Sequence, residues 1–155
     1  MRKTSIRKYL KPALLAAVVA VAPAWAQFAK PESAVEYRQS AFTLMGNHMG
    51  RIKGQLDYGR PNLELIRSSA ALVDVLKTLP FEAFVEGSAD VGDTAAKPEI
   101  WTERDKFDKL AKAMQDKVTQ LNVVARSGDI NAIRAAFGDT GKACKNCHDD
   151  YKKKR

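Results

Sequence analysis

Five consecutive residues near the end of the chain, Cys144-Lys145-Asn146-Cys147-His148, carry the most specific chemistry in the sequence. Two thiols three residues apart, followed at once by an imidazole, form the C-x-x-C-H pentapeptide that attaches a c-type haem. On a helix a spacing of three brings both sulfurs to one side, where they can form thioethers with two haem vinyl groups. His148, four residues beyond Cys144, can then turn its imidazole over the porphyrin as an axial iron ligand. The motif occurs once, so the expectation is one covalent haem c per chain, held by Cys144 and Cys147 with His148 on the iron. Two other readings use the same residues. A redox dithiol or simple disulfide suits an exported protein, but thioredoxin-type pairs open a helix beside a βαβ sheet. Zinc is poorly served by two cysteines and two widely separated histidines without a second C-x-x-C.

The remaining composition is that of one globular domain: 155 residues, 45% hydrophobic and 28% charged, with nine Gly and six Pro. Disorder, a collagen repeat and a disulfide-stapled scaffold are excluded. The formal charge of +8 points at first to a nucleic acid or anionic surface. The first 26 residues account for most of it. Arg2, Lys3, Arg7, Lys8 and Lys11 make a basic leader, Ala13 to Ala22 an apolar run, and Ala24-Trp25-Ala26 a small-residue cleavage site, the pattern of a secretory signal cut after Ala26. The run is too short for a membrane span, which needs about 20 residues. Removing residues 1–26 takes away five cations and no anions and leaves +3 on residues 27–155. The expectation is an exported chain with neither a nucleic-acid partner nor a membrane span.

Residues 27–155 show no strand alternation of useful length, and apolar residues recur at spacings of three and four in four stretches. The spacing predicts a first helix over about 31–57 (Val35, Phe42, Met45, Met49, Ile52, Leu56), with Pro31 in its first turn. A second begins at Pro61 or Asn62 and is bounded by Pro80, with an added turn from Phe81 to Glu86. Residues 87–99 read as an irregular connection, long enough to suggest that it covers something. A third helix follows from Thr102 as N-cap to Ser127-Gly128, and Asp129 caps a fourth that carries Ile133, Phe137, Cys144, Cys147 and Tyr151. The fold class expected is all-α, an antiparallel up-down-up-down four-helix bundle with haem in its core.

The segments YRQSAFTLM (37–45), PEIW (98–101), IRAAFGD (133–139) and CKNCHDDYKKK (144–154), with the haem motif behind three helices, closely resemble cytochrome c′. The resemblance covers essentially all of residues 27–155. It implies a four-helix bundle, a homodimer packed through the first two helices, and a five-coordinate high-spin haem in the periplasm. It implies binding of nitric oxide and often carbon monoxide, and a part in electron transfer with a redox partner that the residues leave unspecified. The family's haem-contacting Arg-Gln pair falls on Arg38 and Gln39, where a guanidinium could pair with a propionate.

Whether the sixth iron position is open separates gas binding from plain electron shuttling. Candidates for a second ligand are Met45, Met49, Met114 and His48. Methionines at helical spacing are more simply core filler, and His48 is more simply a surface or interface residue. In six-coordinate relatives the ligand is a methionine at the position of Phe42, which has no lone pair, so Phe42 implies an apolar, crowded distal side. On the proximal side Lys152 matches a basic residue of the family, though it equally reads as part of a cationic helix end. No nucleophile-base set, phosphate loop or paired carboxylates stand out, so no enzyme activity is expected. Trp101 reads as an aromatic cap on the core or haem edge.

Overall fold

A computed structural model of the chain describes residues 28–154; the expected leader, residues 1–26, lies outside the described residues, as does Arg155. Six helical segments follow one another: α1 (Pro31–Asp57), α2 (Leu63–Leu76), α3 (Leu79–Glu82), α4 (Glu99–Thr102), α5 (Arg104–Ser127) and α6 (Ile130–Tyr151). The four long ones form an antiparallel four-helix bundle in which α1 packs on α2, α2 on α5 and α5 on α6. The all-α reading is therefore correct, and the only strand-like pairing among the described residues is an isolated bridge between Ala96 and Lys152.

Local chemistry sets the boundaries. Pro31 occupies the first turn of α1, where its missing N–H costs nothing. The Asn62 side chain accepts from the Leu65 amide at 3.0 Å and starts α2. Asp129 accepts from the Asn131 and Ala132 amides at 2.9 and 3.2 Å and starts α6, as its type predicts. Gly128 ends α5 in the left-handed conformation at φ +76, which favours glycine. Two boundaries depart from expectation. Pro80 does not bound α2, which ends at Leu76; it lies buried in the first turn of α3. Thr102 is not the N-cap of the third long helix. It ends α4, with its hydroxyl turned back to the Glu99 carbonyl, and Glu103 takes the cap position without a capping bond from its side chain. The PEIW segment causes this by folding into its own turn, which buries Ile100 and directs the Trp101 indole N–H to the Val85 carbonyl at 3.1 Å.

The bundle is solid at one end. Ile52 and Leu56 of α1, Ile66 and Ala70 of α2, Leu121 and Ala125 of α5 and Ile133 of α6 form one buried cluster. Each fully buried Ile or Leu there stabilises by roughly 1.5–3 kcal/mol. Cations from neighbouring segments close the helix ends: Arg134 donates to the Leu56 carbonyl at the end of α1, and Arg67 donates to the Ala125 and Arg126 carbonyls at the end of α5.

A polar cluster ties α2 to α5. The Asp74 carboxylate accepts from Lys77 at 2.6 Å, Thr119 at 2.9 Å and the buried Asn122 amide at 2.9 Å. Burial alone would raise this carboxyl, but the bonds from Lys77, Asn122 and Thr119 together hold it below its ordinary value of 3.8. A depressed folded-state pKa gives stability that is present at neutral pH and lost as pH falls through and below the ordinary carboxyl range. Asp74→Asn should therefore cost about 1 kcal/mol at pH 7. The gap from the parent, read by denaturant melts at several pH values, should close below about pH 4; a gap independent of pH would contradict the assignment.

Candidate functional site

At the other end the helices part. The first and last, α1 and α6, touch little, and between them opens a cavity of about 800 Å³ roofed by residues 93–96. That size lies within the roughly 300–1,000 Å³ typical of ligand pockets. Three helices present the same spacing to it. On α6, Phe137, Gly141, Cys144 and His148 recur at four, three and four, as do Arg38, Phe42, Met45 and Met49 on α1 and Phe107, Ala111, Met114 and Val118 on α5. Such spacing places each set on one helix face. At Gly141 and Gly46 a Cβ would meet nothing within 4 Å, so both glycines leave open, flat stretches of wall.

The end of the cavity is aromatic. Phe42 meets Phe81 edge-on at 5.7 Å and Phe84 at 6.4 Å; Phe107 packs on Phe84 at 4.9 Å and on Tyr151 at 5.4 Å. Edge-to-face pairs of this kind fix ring orientation as well as burying area. The Tyr151 hydroxyl donates to Glu103 at 2.9 Å, and burial together with that carboxylate pushes its pKa up to about 12.

Cys144 and Cys147 are free thiols, partly buried on the α6 wall. Burial raises the Cys144 pKa; burial, then Cys144, then Asp150 push Cys147 up to about 11. Both are protonated at neutral pH, the opposite of the depressed thiols of reactive dithiol motifs. Loss of solvent around the His148 ring and then the Lys152 charge lower its pKa, with Asp149 opposing, so the imidazole keeps a lone pair at neutral pH. His48 stands elsewhere, its Nδ1 3.3 Å from the Ser69 hydroxyl between α1 and α2. Among the described residues no group of three or more His, Cys, Asp or Glu is arranged to hold a metal ion.

A family model described as Cytochrome C' matches residues 33–152. The chain is 45% identical to cytochrome c′ of Alcaligenes xylosoxydans xylosoxydans over 133 residues, covering 83% of this chain and all of that protein. It belongs to the cytochrome c′ family. Cytochrome c′ of Rubrivivax gelatinosus, 41% identical, superposes with a TM-score of 0.78 over 82% of this chain and 100% of that one. A nitric oxide complex of a cytochrome c′ variant from Alcaligenes xylosoxidans, 43% identical, gives 0.73 over 83% and 99%. Membership in the cytochrome c′ family implies a covalently bound c-type haem. The cavity fits that group: it has the volume, open flat walls at Gly46 and Gly141, two thiols on one face, and an uncharged imidazole beside them.

The residues singled out by the haem motif, Cys144, Cys147 and His148, and by the cytochrome c′ resemblance, Arg38, Gln39, Phe42 and Lys152, all line this cavity. So do Met45, Met49 and Met114, of which Met45 and Met114 are buried in one apolar cluster with Val73 and Val118. Trp101 caps the outer side of the aromatic group, 6.0 Å from Phe84. Arg38 does more than its position in the sequence announces. Only 2% exposed, it donates to the Ala83 carbonyl at 3.0 Å, the Ser88 hydroxyl and carbonyl at 2.8 Å each, and the Thr94 hydroxyl at 3.0 Å, with its guanidinium 4.6 Å from the centre of Phe84. Burial lowers its pKa to about 10, so it stays charged at neutral pH. Ser88 and Thr94 carry little sequence signal as its partners, beyond being hydroxyl residues in a loop opposite an arginine on an otherwise apolar stripe.

Gly141→Leu tests the fit. Leucine raises helix propensity by about 0.5–1 kcal/mol relative to glycine, so the haem-free chain should melt no lower than the parent. Its side chain would stand in the cavity, and the haem-to-protein ratio of the exported variant should fall severalfold. Full haem loading would show that the cavity wall at Gly141 is not where the ring lies.

Proposed function

We propose that this chain is a periplasmic c-type haemoprotein, exported by residues 1–26 and cleaved after Ala26, that reversibly binds diatomic gases at one haem per chain. Nitric oxide is the first ligand and carbon monoxide a second, with electron transfer as an additional role; the chain acts as a binding protein rather than an enzyme. Cys144 and Cys147 would hold the ring by thioethers, and His148 would supply the strong protein ligand to its iron. When bound, the haem supplies an iron whose open coordination position accepts a small π-acid ligand.

The observation that carries this reading is the cavity with Cys144, Cys147 and His148 along one wall and the ring of Phe42 in the wall formed by α1. Phe42 offers no lone pair, and its edge-on contacts with Phe81 and Phe84 hold it as an apolar obstacle. Relatives solved as nitric oxide complexes support the choice of ligand. Arg38 has its donors on neutral oxygens, so its charge is available to an anionic haem propionate entering beside Gln39. Gln39 donates to the Asp93 carbonyl at 2.7 Å, which fixes the edge where that propionate would lie. Lys152, four residues beyond His148 and just past the end of α6, lines the cavity; on the proximal side it would act as a point charge without the bidentate fork of arginine. Exposed Leu44 on α1 and Leu72 and Val75 on α2 support a homodimer through these two helices. No described helix is long and apolar enough to cross a membrane.

Met45 also lines the cavity and would make the protein a six-coordinate electron carrier if its thioether reached the iron. Absorption spectra of the periplasmically expressed protein separate the possibilities. High-spin bands in both oxidation states are expected; low-spin bands in both would establish a methionine ligand, and no haem bands would leave a thiol module. Phe42→Ala should speed carbon monoxide association by about tenfold or more, the counterpart of some 1.4 kcal/mol of steric barrier. An unchanged rate would remove Phe42 from the gate.

A further inference from the structure

The last turn of α6 carries His148 and ends three residues later, so its rigidity sets where the imidazole stands. A helix leaves its last four carbonyls without intrahelical partners, here those of residues 148–151. The Lys152 amide takes the His148 carbonyl at 3.1 Å. The other three all go to one residue of the covering loop. The Lys97 ammonium donates to the Asp149 and Asp150 carbonyls at 3.3 and 2.7 Å, and the Lys97 amide donates to the Tyr151 carbonyl at 3.0 Å. The Lys153 amide completes an antiparallel bridge by donating to the Ala95 carbonyl at 2.8 Å.

The same loop is held from the opposite wall. Arg38 of α1 grips Ser88 and Thr94, Gln39 grips the Asp93 carbonyl, and the Thr94 hydroxyl, already accepting from Arg38, also accepts the Ala96 amide at 3.1 Å. Hydrogen bonds thus lead from the α1 wall through Thr94 to Ala96, and the chain neighbours of Ala96, Ala95 and Lys97, make the bonds to the end of α6, although the two helices barely touch directly.

We infer that residues 88–97 act as a strap across the cavity, anchored by Arg38 on α1 and by Lys97 on α6, and that Lys97 and Thr94 are positioning residues for His148. The inference deepens the haem reading above and rests on it for the role of His148. Neither residue acts on the iron. Their effect is to keep the last turn of α6 wound, so that the imidazole enters the cavity from one fixed direction.

The test uses the full-length exported holoprotein and the variants Lys97→Met, Lys97→Arg and Thr94→Val. The first readout is amide hydrogen exchange at Lys152 and Lys153; the second is the iron–histidine stretching band of the ferrous protein by resonance Raman. Lys97→Met should speed exchange at both amides by roughly three- to tenfold, as expected for the loss of hydrogen bonds at a helix end. It should also shift or broaden the iron–histidine band, and Lys97→Arg should restore both. Thr94→Val, in the middle of the run, should speed exchange at Lys153 although it touches no residue of α6. If Lys97→Met loosens the amides while Thr94→Val leaves them protected, Lys97 is a local cap and the strap is overturned. If exchange rises but the band is unmoved, the strap exists without positioning His148, and that part of the inference fails. Absence of any haem bands would instead defeat the haem reading, and the exchange result alone would then decide the strap.

Discussion

Four helices that must enclose a wide flat group cannot pack against one another along their whole length. Protein interiors are close-packed, and an unfilled volume forfeits the dispersion contacts of everything that lines it. Here the conflict is resolved by division. One end is filled by Ile52, Leu56, Ile66, Leu121 and Ile133, and the other is held apart around a cavity of about 800 Å³. The hollow end needs supports other than helix-on-helix packing. It has an aromatic group that braces itself by edge-to-face contacts, and a loop secured at both ends by hydrogen bonds.

Arg38 shows how a costly group serves such a design. Burying a guanidinium is unfavourable unless its donors are met. Four bonds to loop oxygens and a stacked Phe84 meet that condition, and in return the loop acquires one defined conformation. Cations at helix ends follow a related logic. The ends of α1, α5 and α6 receive Arg134, Arg67 and Lys97 respectively, each from a different segment, so electrostatic closure of a helix is at the same time a tertiary contact.

Much of this was legible in the residues. The period of the apolar positions gave α1, α5 and α6 nearly to their ends, and the caps at Asn62 and Asp129 acted as their side chains predict. The Cys144–His148 pentapeptide announced its cofactor because few other chemistries need that spacing. What stayed hidden was tertiary. Proline ends a hydrogen-bond ladder but can also begin one, and at Pro80, whose ring is buried, the second use holds. Thr102 has the composition of a cap, but the turn formed by Glu99 to Thr102 claimed it first. The resemblance marked Arg38 as a haem contact but not as a clamp, because its partners lie 45 to 56 positions away, most of them in a loop whose composition says only that it is irregular.

The solid end has a consequence for the hollow one. Its contacts join α1, α2, α5 and α6 without calling on the cofactor. Its buried core residues, Ile52, Leu56, Ile66, Leu121 and Ile133 among them, lie outside the cavity lining, whereas both cysteines lie within it. The placement of the two thiols along the cavity wall therefore follows from a helix register that is set elsewhere in the molecule.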